Sequence, residues 1–142
     1  MFLHFLSLAE KQALLALARE MVRADDRIAD AECAELKSMC AEMGLDPKTI
    51  VSQRDRAARL ACFASRRSKV IALLELLVLA NSDRDFGAKE REFLRSAAAS
   101  LGFQAAELKA LASWVDRHDE LAAEAEAFMK EQADTGETKE SP

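Results

Sequence analysis

Asp25, Asp26, Asp30 and Glu32 crowd one short stretch of the chain, and Asp83, Asp85 and Glu90 crowd another. Carboxylates gathered in this way supply hard oxygen ligands, the kind that hold Ca²⁺, Mg²⁺ or Mn²⁺. The candidate ligands are Asp25, Asp26, Glu32, Asp83, Asp85 and Glu90, on condition that the fold brings the two stretches together. Zn²⁺ suits them less, because neither stretch contains His and Cys33 is the only thiol beside them. Neither is an EF-hand: a loop starting at Asp25 or Asp83 would place its bidentate Glu where Leu36 and Leu94 stand. A structural reading competes with the metal and comes first. A Glu three residues into a helix reaches back to the cap's backbone N–H, and Asp often fastens the turn that follows it. Both acidic stretches would then be loop staples.

The elements that must position these carboxylates are legible because the pattern repeats. Asp25 and Asp83 are 58 positions apart, and each is followed by one large apolar residue, Ile28 or Phe86, and then by Glu32 or Glu90. The same offset lays Leu15 on Leu73, Leu36 on Leu94, Ser38 on Ser96 and Gly44 on Gly102. Such self-similarity marks an internal duplication. Ala, Leu, Glu, Lys and Arg dominate, with only 4 Gly and 2 Pro in 142 residues, so the chain should be nearly all helical.

Seven helices are expected. Ser7 and Glu10 form a capping box that opens the first, with Leu8, Leu14, Leu15, Ala18, Met21 and Val22 inward and its end near Arg23. The second spans about Asp30 to Met43 and stops at Gly44, with Leu36, Met39, Cys40 and Met43 inward. Asp46-Pro47 should open a third, which carries the basic stretch and ends near Ala64 to Arg67. Ser68 would cap a fourth, Lys69 to Asn81, and a fifth covers Ala88 to Leu101. A sixth from Ala105 to Val115 and a seventh from Asp119 to Gln132 complete the set. The expected fold is a compact all-α bundle of two helix–acidic loop–helix repeats with an approximate internal two-fold. Residues 1–132 would form one domain, and 133–142 a disordered acidic tail.

The pattern Ala24-Asp25, Ile28, Glu32, Met43-Gly44-Leu45, repeated as Ser82-Asp83, Phe86, Glu90, Leu101-Gly102-Phe103, resembles the tellurite-resistance TerB-like superfamily. That superfamily also includes the N-terminal domain of DjlA-type membrane co-chaperones. The resemblance covers about Leu8 to Asp116, and departs where the family's Gly after the Asp is replaced by Asp26 and Arg84. It implies a duplicated helical domain in a tellurite or chemical stress response, with a divalent cation at the acidic positions. It also implies, as the other role, a protein-interaction scaffold at the inner membrane face.

The remaining signals bound the function. A net charge of -5 disfavours a specific nucleic-acid binder. The basic stretch offers Arg54, Arg59, Arg66 and Arg67 to a partner, although a solvated helix face explains them more simply. Trp114 reads as core or as an interface residue. Cys33, Cys40 and Cys62 form no CxxC and read as reduced, mostly buried thiols. His4 and His118 have no nucleophile beside them, so no catalytic constellation stands out and no enzyme is expected. The N-terminus lacks a basic signal-peptide region, and the longest apolar run is too short to span a bilayer, so a cytoplasmic protein is expected.

Overall fold

The computed structural model describes residues 1–24, 30–49, 54–82 and 87–139, with side chains described as far as residue 130. A 3-10 turn at Leu3–Phe5 precedes six α-helices among these residues, and no strand occurs among them. The helices are α1 (Leu8–Arg23), α2 (Asp30–Met43), α3 (Arg56–Leu60), α4 (Arg66–Asn81), α5 (Ala88–Ser100) and α6 (Ala105–Lys139).

α4 is the axis of the molecule and packs against α1, α2, α5 and α6. Its sequence explains the position: Ile71 to Leu77 is buried without a break, so no face is left for water. α1 lies against it with Leu14, Leu15, Leu17, Ala18 and Met21, each at most 1% exposed. Leu8, expected inward, is instead 62% exposed, because at the first turn of α1 it lies beyond the reach of the packed helices.

Local chemistry sets the helix ends at equivalent places. Ser7 and Ser65 are both N-caps closed by capping boxes, with Glu10 and Ser68 as the reciprocal partners. The fourth helix therefore starts at Arg66, ahead of the expected Lys69, and Ser68 is its third residue instead of its cap. Gly44 and Gly102 have φ of +70° and +86°. There the N–H groups of Leu45 and Phe103 return to the carbonyls of Cys40 and Ala98. Each pair of residues is the end of a Schellman motif, which needs the left-handed conformation that Gly adopts without strain.

Three expected helices are not formed as expected. The third does not begin at Pro47. Asp46 Oδ1 accepts the Lys48 N–H at 2.8 Å, and Arg19 takes the carbonyls of Pro47 and Thr49 at 2.5 and 2.7 Å. Those carbonyls are the ones a first helical turn would commit to its own ladder, so the segment stays a turn. Among the described residues, the helix appears as the short α3, capped by Asp55. The sixth and seventh helices are one. Nothing between Asp116 and Asp119 is Gly or Pro, and His118 stacks on Trp114 one turn earlier with centroids 5.4 Å apart. α6 therefore runs through the expected turn, and its backbone stays helical to Lys139.

Candidate functional site

Of the six candidate metal ligands, Asp25, Asp26, Asp83 and Asp85 lie outside the described residues. Glu32 and Glu90 are described, and each is the third residue of its helix, α2 and α5. They are 2% and 1% exposed, which is rare for a carboxylate. The same helical position is held by Glu10 in α1 and Glu107 in α6, where it has a visible job. Glu10 accepts the Ser7 N–H at 2.9 Å and Glu107 accepts the Gln104 N–H at 3.1 Å. Four helices thus carry Glu at a position where the helix N-terminus favours negative charge. Among the described residues, no group of three or more His, Cys, Asp or Glu side chains is placed to hold an ion.

Burial pushes the Glu10 pKa up, but the Ser7 backbone N–H and neighbouring polar groups at Ser68 and Ala64 together hold it below the usual value.

The basic candidates are largely occupied within the chain. Arg56 and Arg59 both meet Glu20, at 2.8 and 3.4 Å, and the Arg56 guanidinium lies 4.4 Å over the Phe93 ring. Arg66 pairs with Glu107 at 2.8 Å and covers Phe103, while Arg67 covers Phe5. The Glu107 carboxyl is held below its usual pKa chiefly by that Arg66 hydrogen bond and also by the Gln104 N–H. Arg54 is exposed beside α1. Trp114 is half-buried against the core, next to the fully buried Val115. Cys40 is buried, and burial pushes its thiol pKa up, which makes it a poor nucleophile; Cys33 and Cys62 are half-buried.

Two features escaped the sequence reading. The first is a buried acid. Glu75 sits in the middle of α4 at 3% exposure and meets the Met1 ammonium at 2.7 Å. Desolvation drives its pKa up despite that partner. The ammonium, bonded also to Glu42 at 2.9 Å, is raised in turn: burial lowers it, and the two carboxylates more than compensate.

The second is a groove of about 720 Å³ between α4, α5 and α6. Leu77, Leu94 and Phe103 form its buried base, Ala99, Ala105, Leu108 and Ala112 give it an accessible apolar lining, and the exposed Arg91, Arg95 and Lys109 stand around it. Asp116, held by Asn81 at 2.9 Å, closes the end where α6 leaves the bundle. A volume of this size is typical of a ligand pocket, and the open apolar trough with a polar margin is the form that receives an amphipathic helix. Sequence could not reveal it, because it is made of residues from three helices that are each ordinary alone.

No helix among the described residues is long and apolar enough to cross a membrane. No protein-family model, curated protein or solved structure matches this chain.

Proposed function

We propose that this chain is a non-catalytic, TerB-like interaction module that captures an acidic amphipathic helix of a protein partner. The observation that carries the reading is the groove between α4, α5 and α6, edged by Arg91, Arg95 and Lys109, with Asp116 at one end and Glu92 3.9 Å from Arg95. An apolar trough supplies burial to the partner's apolar stripe, and the cations select for acidic flanks. This reading favours the adaptor role over nucleic acid, since the cations surround an apolar floor that would be left empty under a phosphate backbone. We place the module in a chemical stress response on the resemblance of the paired Asp and Glu motifs alone. The two repeats, on this proposal, form one domain with an approximate internal two-fold.

Cation binding by the acidic loops is the second reading. The near-complete burial of Glu32 and Glu90 at the matching position of each repeat favours it, because both carboxylates are aimed into the protein and not into solvent.

The groove reading is tested with a fluorescent helical peptide carrying Leu at one stripe and Glu on its flanks. The wild type should bind it, and Arg95→Glu with Lys109→Glu should weaken binding about tenfold or more. Equal binding by both proteins, or none by either, overturns the reading.

A further inference from the structure

The groove has an occupant of the right chemistry in the chain itself, but in a place where the same molecule cannot use it. Beyond Asp116, α6 continues for another 23 residues to Lys139, roughly 35 Å of helix at 1.5 Å per residue. Along it, Leu121, Ala125, Phe128 and Met129 recur at helical spacing on one face. Leu121, Phe128 and Met129 are 65%, 66% and 69% exposed, the highest values among the large apolar side chains described. Asp119, Glu120, Glu124 and Glu126 flank that stripe. An apolar stripe with acidic flanks is the complement of an apolar lining edged by Lys109 and by Arg95, whose pair with Glu92 at 3.9 Å is long and exposed.

α6 is itself one wall of the groove, through Leu108 and Ala112. It passes Asn81, at the end of α4, and stays helical to Lys139, with residues 119–130 exposed and unpacked. Reaching back would require a break between Asp116 and Asp119, where the helix is continuous and His118 stacks on Trp114. A second molecule has no such constraint.

We propose that two copies of this chain exchange their α6 extensions, each laying residues 119–130 into the α4–α5–α6 groove of the other. The exchange is two-fold symmetric, so both stripes and both grooves are covered and the assembly closes at two. It rests on the groove reading above and names the occupant.

The full-length chain should sediment as a dimer whose dissociation constant rises with salt, as exposed charge pairs are screened. Leu121→Asp with Phe128→Asp should give a monomer with unchanged helical circular dichroism, since both residues are exposed. Arg95→Glu with Lys109→Glu should raise the dissociation constant about tenfold or more. Mixing these two variants should restore a dimer, because the stripe of the second and the groove of the first are both intact. A wild type that stays monomeric to about 1 mM, or a dimer indifferent to both variant pairs, overturns the exchange.

A labelled peptide of residues 116–132 separates the two levels of the argument. If the wild type is monomeric and the peptide binds it, and Arg95→Glu with Lys109→Glu abolishes that binding, the groove stands and self-exchange falls. If the wild type is monomeric and the peptide binds only the Leu121→Asp, Phe128→Asp variant, the chain's own segment folds back, and exchange is again overturned. If it binds neither protein, the groove reading falls as well.

Discussion

Glu75 shows what a single residue costs a packed core. The 58-residue offset places it opposite Leu17, which is fully buried in α1. Where position 17 buries a methyl-rich side chain, position 75 buries a carboxylate that meets the Met1 ammonium. Desolvation holds the Glu75 pKa above its unfolded value, so its contribution to stability is fully present below about pH 4.5 and is lost as pH rises through the folded pKa. The Met1 ammonium is also raised, and its contribution is lost above about pH 8. Glu75→Leu should therefore stabilise the protein by about 1 kcal/mol at pH 7, with the gain shrinking towards pH 4 in urea titrations. A destabilised variant would show that the carboxylate is needed to hold the N-terminal segment in place.

Element ends are governed by cheap, local rules that can be tested individually. Ser7→Ala and Ser65→Ala each remove a capping box and should cost about 1 kcal/mol. Gly44 and Gly102 have open space where a Cβ would go, so the cost of alanine there is purely conformational. Gly44→Ala and Gly102→Ala should each lose about 1 to 2 kcal/mol in thermal unfolding, and asparagine should recover part of the loss. A neutral glycine substitution would mean that the helix ends relax into another turn. The same rules went astray at Asp46-Pro47, where the dipeptide is a sound helix opening by itself. Arg19, 28 residues away from Pro47, claims the carbonyls, and no local signal announces it.

At the scale of the molecule, the two acidic stretches matter only if packing of the helices brings them together. Asp25 and Asp83 fall outside the described residues, while Glu32 and Glu90 are buried at the start of α2 and α5. A cation shared by the two repeats would bind only the folded chain and would raise its melting temperature by mass action. If the second reading holds, adding Ca²⁺, Mg²⁺ or Mn²⁺ to the chelator-stripped protein should raise the midpoint, and Asp25→Asn with Asp83→Asn should abolish the rise. No rise with any ion, and a variant that simply melts lower, would leave the acidic residues as staples.

Composition, apolar period and caps determined by themselves that the described residues are mainly helical, where α1, α2 and α5 begin and end, and that Leu15, Met21, Cys40 and Met43 face inward. These properties are set within a few turns of each residue. Tertiary contact decided the rest. The stack of His118 on Trp114 lies within α6, but its weight against a polar run with good turn chemistry depends on Trp114 being packed against the core. The groove, the Met1–Glu75 pair and the engagement of the arginines by Glu20, Glu107 and aromatic rings all join residues far apart in sequence. Such pairings depend on how three or more helices meet, and a periodicity read along one helix carries no information about the partner across the gap.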